Sequence, residues 1–365
     1  MSYGYTHTFP AMRGIQAKKE YYVAMCPLHA LPKLFLFNEV SLPPELRAQR
    51  TLNASRIPEL KKYITDNSND YAFSAITASI DGNVRFEAAD MGNEASDVGR
   101  LIVPMSARVV INDGQHRRAA IEEALKEKPE LGNETIAVVF YLDEGLKRSQ
   151  QLFADLNKHA VKPTKSLAVL YDYRDPLACL VRELAESIPC FKNLTEKEKT
   201  NISNRSQSLF TLNGIYQATG TLLGKRKNQP ISPQAKEFAF SYWTELMKII
   251  PQWEQAARNE IKSFEIREEF VHVHNIVLHA LGNVGRALFA ESANEWVTRI
   301  QTLRNVDWSR NNLTVWEGRA MVGGKMRISK RHILLCTVYL KQFLNLPLTI
   351  SEEKAERDFQ TESKS

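Results

Sequence analysis

Residues Val109 to Leu125 read VVINDGQHRRAAIEEAL, a short apolar run, an Asp-Gly turn and then a stretch with helical spacing. That order leaves the chain little freedom. The β-branched run predicts a strand, Gly114 permits a sharp turn, and Ala120, Ile121, Ala124 and Leu125 recur on one helical face that has to be buried. His116, Arg117 and Arg118 then fall in the first helical turn, where backbone N–H groups lack partners and the helix dipole favours anions. Cations at that end point to an anionic ligand, and phosphate is the common one. Asp113, Gly114, Gln115, His116 and Arg117 therefore form the candidate seat, with Asp113 as the catalytic candidate that orients the ligand or a water. Successive helix residues are about 100° apart. Arg117 is thus expected at the seat with His116, and Arg118 in an ion pair or at the rim.

The first half of the chain reads as mixed α/β. Ile57 to Ile64 has helical spacing, and Ser74–Ile80 and Asn83–Ala88 flank Asp81-Gly82, a dipeptide that favours a two-residue β-hairpin. The run Ile136 to Leu142 predicts a strand covered on both faces. Asp143 is placed to cap the helix that follows, which runs to Asn157. The second half is helical, with start signals at Asp175-Pro176 and Ser232-Pro233. Near its end, Arg319–Val322 and Lys325–Ile328 bracket Gly323-Gly324, a second hairpin signal. That register sets Met321 opposite Met326 and leaves Lys325 and Arg327 on the other face. Ser329 then caps a helix to about Leu344, and the polar residues beyond Ser351 are expected to fray. The fold class expected is α+β: a mixed α/β domain over 1–172, a mainly helical domain with a β-hairpin over 173–350 for DNA binding or dimerisation, and a polar tail over 351–365.

A chain of 365 residues exceeds the size at which single cores stop growing, which supports two domains. It has no run of about 18 apolar residues, so no membrane partner is expected. Its first residues lack the apolar stretch of a signal peptide, which makes the cytoplasm the expected compartment. Cys26, Cys179, Cys190 and Cys336 are scattered without paired spacing, so they read as reduced thiols and no zinc or haem site is expected. On a helix His272 and His274 lie about 200° apart and so share no face, no carboxylate completes a triad with them and His279, and no metal site is read there. Trp296, Trp308 and Trp316 read as packing residues.

The net charge of +6 permits a nucleic-acid partner, and its clustering says more. Arg319, Lys325, Arg327, Lys330 and Arg331 lie in a stretch without acidic residues, and Lys225-Arg226-Lys227 forms a second knot. These eight are the candidate DNA-binding residues. A basic hairpin followed by a helix N-terminus presents side chains and N–H groups to a phosphate backbone together.

A strand, an Asp-Gly turn and a helix opening Q-H-R-R resembles the ParB/sulfiredoxin nucleotide-binding fold, over roughly residues 40 to 172. The pentapeptide Asp113-Gly114-Gln115-His116-Arg117, with Gln151–Asp175 and Trp316–His332, is similar to the DGQHR-domain proteins of the DndB family of DNA phosphorothioate modification systems. That resemblance implies a repressor, a DNA-binding regulator of the modification genes, with double-stranded promoter DNA as partner. Specificity for one operator calls for two subunits, hence a homodimer. The alternative it implies is a ParB-like nucleoside triphosphatase or nucleotide-gated clamp. Gly114, Gln115, His116, Arg117 and Asn157 would then hold ATP or CTP with Mg2+. Leu156 supplies no oxygen for such a cation, which leaves Asp155 or Asp113 to do so.

Overall fold

The structure is a computed structural model that describes residues 5–35, 54–90, 96–146, 148–158, 163–203 and 206–362; the side chains of Gln150, Phe153, Ala154, Asn157 and Lys158 lie outside that description. The chain divides into two compact units, Met1–Val161 and Lys162–Ser365. The fold is α+β.

The first unit is built on seven strands, β1 (Thr6–Gln16), β2 (Lys19–Pro27), β3 (Ile76–Asp81), β4 (Arg85–Ala88), β5 (Val98–Pro104), β6 (Arg108–Asp113) and β7 (Thr135–Leu142), in the order β4-β5-β1-β2-β7-β3-β6. Among the described pairings of these seven strands, only β3 and β7 run parallel. Asp81-Gly82 does not close the hairpin its sequence suggests. β3 pairs with β6 and β7, whereas β4 pairs with β5 near the other edge of the sheet. Gly82 also lacks the positive φ that the two-residue turn requires. The reason is burial: Ile76 to Ile80 are buried on both faces and take a partner on each side, while β4 is exposed to half-buried.

This topology forces the sheet to roll. In a flat sheet β3 and β4 would be five spacings apart, about 24 Å. The step from Asp81 to Arg85 reaches only about 14 Å when fully extended. The step from Pro104 in β5 to Arg108 in β6 crosses the same gap with the same reach. The two links touch, since a Cβ on Gly82 would lie 2.7 Å from the Cβ of Ala107. Inside the roll pack Phe9, Tyr22, Ala24, Ala78, Leu101, Val138 and Phe140, joined by Ile64 of helix α1 (Ile57–Asp66) and by Ala120, Ile121 and Ala124 of helix α2 (Gln115–Glu127). Helix α3 (Ser149–Lys158) is anchored by a buried chain. Ser149 Oγ donates to Asn112 Oδ1 at 2.7 Å, and Asn112 Nδ2 donates to Ser79 Oγ at 2.8 Å. Asp143 caps α3 from a distance, accepting from the Arg148 N–H at 3.0 and 3.1 Å.

The second unit is helical around one core. It contains α4 (Lys165–Tyr171), α5 (Pro176–Ser187), α6 (Leu212–Leu223), α7 (Pro233–Ile249), α8 (Asn275–Leu288), α9 (Lys330–Phe343) and α10 (Ile350–Glu362), with shorter helices between them. Asp175, Ser232 and Ser329 accept N-terminal N–H bonds from Leu177, Ala235 and His332, so all three expected caps form. Helices α6 and α8 approach so closely that a Cβ on Gly282 would lie 2.4 Å from the Ala218 carbonyl oxygen. Trp243, Trp253, Phe191 and Phe210 fill the centre with ring contacts of 5.1–6.4 Å. Trp296, Trp308 and Trp316 are buried in the same core.

Two boundaries differ from the sequence expectation. The units part at 161/162 rather than 172/173, because Val169 of α4 belongs to the helical core and Ser166 of α4 donates to the Lys199 carbonyl oxygen at 2.8 Å. The polar tail 351–365 does not fray over 351–362. It forms α10, docked by two buried ion pairs: Arg319 with Glu356 at 2.6 Å and Lys341 with Glu352 at 2.8 Å. Opposite charges many residues away hold down a helix whose own sequence has no broad apolar face. No helix among the described residues is long and apolar enough to cross a membrane.

Candidate nucleic-acid interface

At the turn between β6 and α2, Gly114 has φ 108°, in the left-handed region that favours glycine. A Cβ there would stand 3.0 Å from Ile76 Cγ1 and 3.1 Å from Arg117 Nη2. Arg117 has folded back over the turn. Its guanidinium pairs with Asp113 at 2.7 Å and donates to Ser74 Oγ, and its buried Nε has no partner among the described residues. Gln115 also turns inward, donating to the carbonyl oxygens of Ile111 and Asn112 at 3.3 and 3.4 Å. Arg118 pairs with Glu122 at 3.1 Å. His116 is held below its ordinary value, first by burial and then by Arg56, with Asp113 opposing them. Among the described residues no side chain caps α2.

The five residues are therefore brought together, but two of them already neutralise one another. Asp113 lies under the Arg117 guanidinium, so a hard cation would have to displace that guanidinium to use the carboxylate. The Asn157 side chain lies outside the described residues. Among the described residues no group of three or more His, Cys, Asp or Glu side chains is placed to share a metal ion.

The basic residues of the second unit sort into two kinds. Arg319 is buried rather than presented. It makes a two-pronged pair with Glu356 at 2.6 and 2.7 Å, donates to the Leu335 carbonyl oxygen, and lies over the Phe359 ring at 4.3 Å. It is removed from the DNA-contact set, because a guanidinium committed inside the fold cannot reach a phosphate. Arg331 pairs with Glu362 at the surface, and Lys227 with Asp172 at 3.0 Å. Lys325, Arg327, Lys330 and Arg226 are exposed and Lys225 is half-buried; among the described residues none of the five pairs with a carboxylate.

The hairpin that carries Lys325 forms in the expected register, Met321 opposite Met326, with Gly323 and Gly324 at φ 58° and 70°. Glu317 fixes its tip by accepting from the Gly323 and Gly324 N–H groups at 2.5 and 3.3 Å. Met321 is buried, which turns Lys325 and Arg327 outward. His332, at the start of α9, is pushed down by burial and then by Arg331 and Arg327.

At the other knot the structure adds a residue that sequence reading missed. Lys225, Arg226 and Lys227 line a groove of about 500 Å³ with Tyr216 and Arg286. Arg286 is exposed, sixty residues away in sequence, and lies against Gly224, where a Cβ would be 2.7 Å from its Nη1. Only the packing of α8 on α6 brings it there, and no local signal marks it.

The model of one protein family, described as DndB and DNA-sulfur modification-associated, matches residues 9–347. No curated protein and no solved structure matches the chain.

Proposed function

The chain belongs to the DndB family of DNA-sulfur modification-associated proteins, and from that premise we propose that it is a DNA-binding regulator that represses the modification genes. Double-stranded DNA is held by the second unit. One observation carries this reading. Lys225, Arg226 and Arg286 at the groove, and Lys325, Arg327 and Lys330 at the hairpin and the α9 N-terminus, lack carboxylate partners among the described residues. Cations left unpaired while their neighbours Arg319, Arg331 and Lys227 are paired are what a phosphate backbone requires.

Affinity that rests on phosphate neutralisation falls with salt at a log–log slope of about −0.9 per phosphate, so six contacts give a slope of about −5. Alanine at Lys325, Arg327 and Lys330 together should make that slope shallower by about 3 and weaken all sequences alike. The Lys225/Arg226/Arg286 triple variant should do the same. A filter-binding titration on promoter DNA, from low to physiological salt, checks this, and a slope unchanged in both variants would reject these surfaces. The homodimer draws its support from the outer face of the first unit's sheet, where Met12, Met25 and Val98 are exposed on adjacent strands.

A second reading, a nucleotide seat at Asp113–Arg117, draws on the uncapped start of α2 and the unpartnered Arg117 Nε. Asp113→Ala and Arg117→Ala, made separately, distinguish the readings. Triphosphate hydrolysis by the wild type that both substitutions abolish, with the DNA salt slope intact, would favour the seat. Two variants that only melt earlier would assign the Asp113–Arg117 pair to holding the turn.

A further inference from the structure

A cavity of about 540 Å³ opens in the second unit at the N-terminus of α8, and its walls include Thr200, Asn201, Phe264, Arg267, Asn275 and Arg310. Its volume lies within the roughly 300–1,000 Å³ of small-molecule sites. Both arginines donate to backbone carbonyl oxygens. Arg267 donates to the carbonyl oxygens of Ser203 and Ser206 at 3.1 Å and to that of Ser208, and Arg310 to those of Glu268 at 3.1 Å and Gly324 at 2.9 Å. These bonds orient both guanidinium groups at the cavity wall. Among the described residues the wall holds one carboxylate, Glu268, which attracts Arg267.

Two further observations describe the interior. His274, on the cavity wall, donates from Nε2 to the Arg267 carbonyl oxygen at 3.0 Å; burial first, then Arg310 and Arg267, push it down to about 4. It is neutral near pH 7. Phe264 leaves 37% of its surface exposed at the wall, with Lys262 Nζ 6.0 Å from its ring centre. An aromatic face, a pair of oriented guanidinium groups and amide and hydroxyl side chains in one cavity match an aromatic base joined to a phosphate. We infer that this cavity binds a nucleotide, either free or as the phosphorylated end of a DNA strand, at a site separate from the Asp113–Arg117 turn. Arg310 also holds the carbonyl of Gly324 at the hairpin tip, so the site shares a residue with the basic hairpin.

Calorimetry on the full chain tests this with AMP, CMP, inorganic phosphate and a 5′-phosphorylated dinucleotide as probes. Wild type should bind at least one base-bearing probe more tightly than inorganic phosphate. Arg310→Ala should weaken that binding by about tenfold or more, the loss expected for a charge-assisted hydrogen bond. Phe264→Ala, at a ring outside the buried core, should weaken the base-bearing probes and leave phosphate unchanged. Tighter binding of the dinucleotide would name the strand end as the source, and tighter binding of a monophosphate the free nucleotide. Heat from no probe, equal binding of phosphate and nucleotides, binding indifferent to both substitutions, or binding lost in Arg117→Ala instead would each overturn the inference. The DNA salt titration is a separate measurement, so the two proposals fail independently.

Discussion

Glu356→Ala is expected to destabilise the second unit by about 3–5 kcal/mol, the usual result of removing one partner from a buried ion pair. The Glu356 and Arg319 side chains are 8% and 10% exposed, and two short bonds join them. The Arg319 guanidinium holds the Glu356 carboxyl below the usual carboxylate range, because the charged form is the one it bonds. Without Glu356 a guanidinium is left against Tyr339 and Phe359 with only the Leu335 carbonyl as acceptor. For a unit of this size, each kcal/mol lowers the melting temperature by roughly 2–4 °C, so a drop of about 6–20 °C should appear in a thermal melt. The double variant Arg319→Met with Glu356→Leu should recover much of the loss, since apolar pairs of similar volume often replace buried ion pairs without cost. A single variant that melts like wild type would mean that α10 is not held by this pair. The same outcome would return Arg319 to the candidate DNA contacts.

Acid should unfold the second unit well above the range where its carboxylates protonate. Burial, with His274 adding to it, pushes His272 down to about 3, and burial, with Arg310 and Arg267 adding to it, pushes His274 down to about 4. His272 Nδ1 accepts a hydrogen bond from Trp253 Nε1 at 3.0 Å, and its ring stacks on Phe270 at 5.3 Å. A proton on Nδ1 would set one donor against another inside an apolar core. Both folded values lie below the unfolded value of about 6.5. The stability these groups contribute is therefore complete above about pH 6.5 and is lost as pH falls toward 4 and 3. Each histidine contributes about 1.4 kcal/mol per pH unit in that window, so the pair gives a slope of about 2.7. Urea unfolding followed by tryptophan fluorescence from pH 7 to 4.5 reads this directly. A flat midpoint across that range would show that the histidines charge without disturbing the fold.

Much of the local structure was legible because its causes lie within a few residues. Gly114 and the Gly323-Gly324 pair take positive φ where the sequence asks for it, and the Met321–Met326 register follows from the turn length. Asp175, Ser232 and Ser329 cap the helices they precede. The site was less legible, because charge has no sequence signature for its partner. Arg319 and Lys325 look alike in a run of cations, yet one meets Glu356, 37 residues on, and the other meets solvent. Arg117 was expected to face a ligand and instead spans 43 residues to Ser74 as well as one turn to Asp113.

The sequence alone determined the turns, the caps, the switch from mixed α/β to helical architecture and the family, since each depends on backbone conformation or residue order over short spans. Tertiary structure alone decided that Asp81-Gly82 joins strands on opposite sides of a rolled sheet rather than a hairpin. It also decided that the polar C-terminal residues form a docked helix, and which arginines stay free for phosphate. The physical reason is the same throughout. A torsion preference acts on its own residue, whereas a strand edge or a charge is satisfied by whatever group the packing brings within about 3 Å.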